Sequence, residues 1–181
     1  AVLQIVADAQ TITVYLAGDS TMAEKTAEKR PETGWGEFLQ IYFDEKRVKI
    51  DNRARNGRST KSFNDEGHWQ KIVDDLKPGD YVLIQFGHND SKKEDPKRYA
   101  DAKTDYITNL KRFVSDVRKK GANPVILSPV VRRRFNEKLE FYDTHGEYPS
   151  AARQAATEAK VPFIDMHGKS EALLRSFGAE R

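Results

Sequence analysis

Residues 81–86, Tyr-Val-Leu-Ile-Gln-Phe, are the most apolar run in this 181-residue chain. A strand without polar alternation has to be covered on both faces, which is the situation of a central strand in a parallel sheet. Lys77-Pro78-Gly79-Asp80 stops a preceding helix and turns the chain into the run; Gly87-His88-Asn89-Asp90 follows it. Such a strand needs a neighbour of its own kind. Residues 13–18 supply one, with Val14 and Leu16 alternating with Thr13 and Tyr15 and closing on Ala17 and Gly18 before the polar Asp19-Ser20-Thr21.

The remaining periodicities extend the pattern. Val48, Ile50 and Asn52 alternate with charged residues as a half-exposed second strand leading into Asn56-Gly57-Arg58-Ser59. Phe38, Leu39, Tyr42 and Phe43 have the spacing of one helix face, as do Trp69, Ile72, Val73 and Leu76. The longest helix is expected within 97–120, carrying Tyr106, Ile107, Leu110, Phe113, Val114 and Val117 and ended by Gly121. Residues 124–131 predict a fourth strand, Ala152, Ala155, Ala156 and Ala159 a closely packing helix, and residues 161–166 a fifth strand before a helix with Leu173, Leu174 and Phe177. Helix and strand signals thus alternate five times, which predicts an α/β protein, a doubly wound, flavodoxin-like parallel sheet of about five strands in three α/β/α layers. A single domain is expected over 12–181. Residues 1–11 read as a signal-peptide remnant or an N-terminal extension, because an apolar run precedes Ala7-Asp8-Ala9. An extracellular or periplasmic location follows from the first of these, and a cytoplasmic one stays open.

Charged residues make up 33% and hydrophobic ones 38%, a balance that excludes a disordered chain and a membrane span. A net charge of +3 from 31 basic and 28 acidic residues predicts neither a nucleic-acid groove nor a membrane patch. The absence of cysteine removes disulfides, thiolate metal sites and cysteine nucleophiles. No zinc-ligand spacing, phosphate-binding glycine loop or dinucleotide fingerprint occurs, so no cofactor and no metal are expected.

In such a sheet the loops at the carboxyl ends of the strands converge where the strand order reverses. Ser20, Gly57 and Asn89 each follow a predicted strand and can meet there. Ser20 is the candidate nucleophile, at the start of whatever helix follows; the alternative is that Asp19, Ser20 and Thr21 only cap that helix. Gly57 has the alternative of an ordinary turn glycine, and Asn89 with Asp90 that of another cap.

Gly18-Asp19-Ser20, Gly57 within Asn-Gly-Arg-Ser, and Gly87-His88-Asn89-Asp90 resemble, in order, the first three sequence blocks of the SGNH or GDSL hydrolases. GDSTMA, GWG and FGHND resemble more narrowly the rhamnogalacturonan acetylesterase branch of carbohydrate esterases. The resemblance implies the SGNH hydrolase fold and a serine esterase that removes acetyl groups from a polysaccharide such as rhamnogalacturonan (pectin) or xylan through an acyl-enzyme on Ser20. It implies oxyanion donors at the Ser20 N–H, the Gly57 N–H and the Asn89 side-chain amide. Asp19 is then expected to orient the serine loop, Asp90 to scaffold, and Trp35 to pack under the loop. His145, in a loop similar to one bordering the family's cleft, is expected to touch the sugar, and Arg132 and Arg133 to pair with galacturonate carboxylates.

One block does not fit. The family's general base is a histidine three residues after an aspartate, and this chain has no Asp-x-x-His. Its histidines are His68, His88, His145 and His167. Asp165 and His167 are spaced by two and fall at the fifth strand, expected at the sheet edge, where they read as structural. The expectation is therefore a C-terminally incomplete domain with little activity alone, its Asp and His coming from a missing C-terminal segment or a second chain. The alternatives are a non-catalytic glycan-binding module and a lipase or acylhydrolase of the same fold. A flavodoxin-like nucleotide or phosphoacceptor domain ranks last, because the first two strands lack the acidic cluster a magnesium site wants.

Overall fold

The computed structural model describes residues 11–179, so the leader-like residues 1–10 lie outside it. Five parallel strands, β1 (Ile12–Gly18), β2 (Val48–Asn52), β3 (Tyr81–Gln85), β4 (Asn123–Leu127) and β5 (Phe163–Ile164), form one sheet in the order β2-β1-β3-β4-β5. Leu16 pairs with Asn52, Gly18 with Gln85, and Gln85 with Leu127, so the carboxyl ends of the four longer strands lie level. The order reverses between β1 and β3, and the loops after these two strands flank the crevice that results.

The helices are α1 (Thr60–Asp65), α2 (His68–Asp75), α3 (Asp105–Lys119), α4 (Tyr148–Ala159) and α5 (Met166–Phe177). Tyr15 and Ala17 of β1, Val82 and Ile84 of β3 and Ile126 of β4 share the larger core with Trp69 and Ile72 of α2, the apolar stripe of α3 and the alanines of α4. Trp69 stacks on Phe113 with ring centroids 4.0 Å apart, and Ala151, Ala152, Ala155 and Ala156 are small enough for close packing. On the opposite face Leu16 packs with Met22, Ala23 and Ala54, flanked by Val14, Leu83, Trp35 and Leu39.

Several elements differ from their sequence signals. The stretch carrying Phe38, Leu39, Tyr42 and Phe43 is a 3₁₀-helix, Trp35–Tyr42, and Phe38, Tyr42 and Phe43 are exposed. With three residues per turn the inward stripe runs through Gly36 and Leu39 instead. α3 begins at Asp105, because Asp95 and Asp101 accept the backbone N–H groups of Lys97 and Lys103 and hold the preceding residues in turns. β4 ends at Leu127, just ahead of Pro129, which has no N–H to donate. β5 is only Phe163–Ile164, since Asp165 already accepts the Gly168 N–H as the N-cap of α5. No helix starts at Ser20; the chain turns there, with Asp19 O accepting the N–H groups of Met22 and Ala23.

Candidate active site

The nucleophile loop hangs from the end of β1 by polar contacts that reach across the sheet. Thr21 gives its N–H and its hydroxyl to Asp19 Oδ1 at 2.9 and 2.8 Å. Gln85 Nε2 donates to Thr21 Oγ1 at 2.6 Å, and Trp35 Nε1 donates to Gln85 Oε1 at 2.7 Å. The chain Trp35–Gln85–Thr21–Asp19 therefore joins the smaller core to the residue before Ser20. Trp35 N also donates to Thr21 O at 3.0 Å, and a Cβ on Gly36 would lie 2.6 Å from Met22 O. Only glycine lets that segment press against the loop. Trp35 thus packs under the serine loop, as expected.

Lys25 is a second anchor, which the sequence did not flag. Its side chain is buried, and its ammonium donates to the carbonyl oxygens of Ser20 and Ala23 and to Asn56 Oδ1, the last at 3.0 Å. One cation so fixes the carbonyl of Ser20 and the residue before Gly57. Gly57 itself has φ +77°, a conformation that costs a side chain but not glycine, and only Arg98 Nη1, at 3.9 Å, approaches where a Cβ would stand.

Asn89 and Asp90 tie the third loop to the second. Asn89 Nδ2 donates to Arg58 O at 2.9 Å, which leaves its other N–H proton free of that bond. Asp90 Oδ1 accepts from the N–H and hydroxyl of Thr60 at 2.9 and 2.6 Å, capping the start of α1 from across the cleft. Asp19 and Asp90 are both fully buried, and the Oδ2 atom of each has no hydrogen-bond partner among the described residues. Burial accordingly pushes both carboxyls up, Asp90 to about 7, where the Thr60 bonds work against the rise and the Asp19 charge adds to it.

The four histidines fall into two groups. His68 opens α2 and bonds Glu66 Oε2 at 3.1 Å. His88, His145 and His167 gather around Asp143: His145 Nε2 lies 3.1 Å from His88 Nδ1, and Asp143 Oδ1 lies 3.2 Å from His145 Nδ1 and 3.0 Å from His167 Nε2. Burial first, then the charges of Arg132 and Lys92, holds His88 down at about 3. Burial, His88 and Arg132 do the same to His145, also about 3. Asp143 resists the rise that burial alone would bring and sits at about 2, held by hydrogen bonds from His167 and His145. Among the described residues no histidine ring is hydrogen-bonded to Ser20 Oγ.

Three residues expected at the sugar have other partners. His145 is 1% exposed with both ring nitrogens engaged, so it offers a glycan nothing to touch. Arg132 spends its guanidinium on His88 O, Ser91 Oγ and both Thr144 oxygens, clamping the loop after β3 to the loop before α4. Arg133 is exposed and donates to Ala179 O beyond the end of α5. Asp165 and His167 lie at the edge strand: Asp165 caps α5, and His167 N donates to Ser128 Oγ at 2.9 Å while its ring meets Asp143.

A serine stands on the turn after a central strand, with a glycine and an asparagine from the two loops beside it, and the sequence of residues 16–179 matches the family described as GDSL-like lipase/acylhydrolase. The chain belongs to that family. This GDSL-like chain is 41% identical over 169 residues to rhamnogalacturonan acetylesterase RhgT of Bacillus subtilis (strain 168), a match covering 93% of the chain and 71% of RhgT. It is 30% identical over 197 residues to a rhamnogalacturonan acetylesterase of Emericella nidulans, covering 98% of the chain and 76% of that protein. Its fold superposes on the crystal structure of YxiM from Bacillus subtilis with a TM-score of 0.83 at 26% identity, over 95% of the chain and 48% of YxiM. The acetylxylan esterase Axe2 of Geobacillus stearothermophilus has the same fold, with a TM-score of 0.66 at 20% identity over 93% of the GDSL-like chain and 83% of Axe2.

Proposed function

We propose that the protein is a carbohydrate acetylesterase that removes acetyl groups from a plant polysaccharide, pectic rhamnogalacturonan first and xylan second, and that it works outside the cell. The observation that carries this is the convergence of Ser20, Gly57 and Asn89 at the carboxyl edge of β1, β2 and β3, in a chain 41% identical to RhgT. An exported enzyme suits a polymeric substrate that does not cross membranes, and the small-residue triplet Ala7-Asp8-Ala9 suits a processing site.

In the reaction, Ser20 Oγ attacks the acetyl carbonyl and the sugar hydroxyl leaves, giving an acetyl-enzyme that water then hydrolyses. The oxyanion of each tetrahedral intermediate is met by the Ser20 N–H, the Gly57 N–H and the Asn89 amide proton not spent on Arg58. Lys25 holds the Ser20 carbonyl side of the loop so that these donors are set before substrate arrives. The proton of Ser20 needs a base. His88 and His145, with pKa values near 3, are poorly matched to that task at neutral pH, and among the described residues neither His167 nor His68 is hydrogen-bonded to Ser20 Oγ, their Nε2 atoms meeting Asp143 and Glu66. We assign the base to the Asp–His pair that the family resemblance implies, brought by a longer form of the chain or by a second chain.

The test is acetate release from acetylated rhamnogalacturonan by the 181-residue chain, with and without added imidazole as a diffusible base. Turnover is expected to be low alone, to rise with imidazole, to vanish in Ser20→Ala, and to fall about 10²–10³-fold in Asn89→Ala. Imidazole-dependent release that survives Ser20→Ala would overturn the nucleophile, and full turnover without imidazole would overturn the external base. Binding of the acetylated glycan with no rescue under any condition would favour a glycan-binding module instead.

A further inference from the structure

We infer that Asp143, His145 and His167 are the protein ligands of a divalent transition-metal site, for which zinc is the best-suited ion. The three donors come from two distant segments, the long irregular connection between β4 and α4 and the first turn of α5, and no spacing in the sequence announces them. Among the described residues they are the group whose carboxylate and imidazole donors all lie within 4.8 Å of one another. Tetrahedral zinc with bonds of about 2.0–2.1 Å sets its ligand atoms roughly 3.3 Å apart. Asp143 Oδ1 already stands 3.2 Å from His145 Nδ1 and 3.0 Å from His167 Nε2, so two of the three edges are in place, and all three donors lie within 4.8 Å of one another.

The surroundings are those of a ligand set. A metal-binding histidine is usually steered by a hydrogen bond from its other nitrogen. His145 is buried, and its Nε2 lies 3.1 Å from His88 Nδ1, which leaves Nδ1 as the donor facing Asp143. With metal on Nδ1, the Nε2–H donates to His88; without metal, Nδ1 carries the proton to Asp143 and Nε2 accepts from His88. Entry is from the solvent side, where the Asp143 and His167 side chains are 32% and 15% exposed, so a water can complete the tetrahedron. Two imidazoles and one carboxylate suit zinc over magnesium or calcium, which prefer oxygen ligands alone. The charge opposing a cation is Arg132, whose guanidinium is bonded to neighbouring Thr144, and the Asp143 carboxylate offsets it.

Such an ion would pin the irregular segment between β4 and α4 to the head of α5, and through His88 it would also brace the loop that carries Asn89. The test is calorimetric titration of tag-free protein with zinc chloride, paired with the visible spectrum of the cobalt-loaded form. The expected result is one ion per chain, a tetrahedral cobalt spectrum, and affinity lowered about a hundredfold or more in His167→Ala and in Asp143→Asn. His68→Ala, outside the cluster, should bind as the unaltered protein does, and circular dichroism checks that each variant is folded. No stoichiometric binding by the unaltered protein, or undiminished binding in folded His167→Ala and Asp143→Asn, would overturn the assignment.

Discussion

The two ends of the sheet are built on opposite terms. At the carboxyl end both faces are dry: Leu16, Ala17, Ile84 and Gln85 are each fully buried, and with them the carboxyl groups of Asp19 and Asp90, each with an oxygen lacking a partner. At the amino end one face is covered by α2, α3 and α4, while the other opens as an apolar hollow of about 410 Å³ lined by Ile12, Val14, Leu39, Phe43, Val48, Tyr81, Leu83 and Ile164. Ile12 and Tyr81 are 38% and 39% exposed there. Buried charge without full hydrogen bonding destabilises, whereas exposed apolar surface merely forgoes stabilisation. The molecule concentrates its unfavourable terms around Ser20 and carries them on the helix-covered core.

That division predicts unequal costs for neighbouring residues of one strand. Ile84→Ala, on the covered face, should cost about 2–5 kcal/mol in urea unfolding, since the site is closed on all sides and leaves a cavity. A cost below about 1 kcal/mol would mean the covered core is looser than its packing indicates.

Much of this division was legible before the fold was known. The unbroken run 81–86 announced a central strand, and the alternation in 13–18 its neighbour, because burial on both faces leaves a compositional mark. Phe38, Tyr42 and Phe43 misled, since apolar spacing reports a face without saying whether anything covers it. α1 left no signal: a six-residue helix started by Ser59 and by Asp90, thirty positions away, is a tertiary product. In the site, Ser20, Gly57 and Asn89 stood out because each sits in a short local motif after a strand. Lys25, Gln85 and Asp143 did not, because each acquires its role from partners brought close only by folding.

The carboxyl-end charges should appear in the pH dependence of stability. Asp90 has a folded pKa of about 7 against an ordinary value of 3.8, so between those limits the native state holds a proton that the unfolded chain has lost. Its contribution is therefore fully present below about pH 4 and is lost as pH rises through about 7, with Asp19 acting in the same direction. The loss is on the order of 2 kcal/mol, since a three-unit shift caps it near 4 and local relaxation takes a share. Asp90→Asn keeps an oxygen for the Thr60 bonds, so it should flatten the unfolding free energy between pH 4 and 8 and raise the melting temperature at pH 8. An unchanged pH slope in that variant would mean the carboxylate is solvated in the folded state.

The open amino end gives the smallest effects and the sharpest discrimination. Leu83 precedes Ile84 and points to the opposite face, into the hollow, where its partial exposure limits the loss in Leu83→Ala to about 1 kcal/mol. Ile41, 73% exposed on the 3₁₀-helix above it, should tolerate serine within about 0.5 kcal/mol. Measured together at one pH, the three substitutions form a ladder in which Ile84→Ala is worst and Ile41→Ser nearly silent. Should Leu83→Ala cost as much as Ile84→Ala, the hollow is filled in solution, and the contrast between the two faces belongs to the isolated chain alone. Should Ile41→Ser also cost more than about 1 kcal/mol, the filling element extends over the 3₁₀-helix, because only a covered isoleucine loses that much on becoming polar.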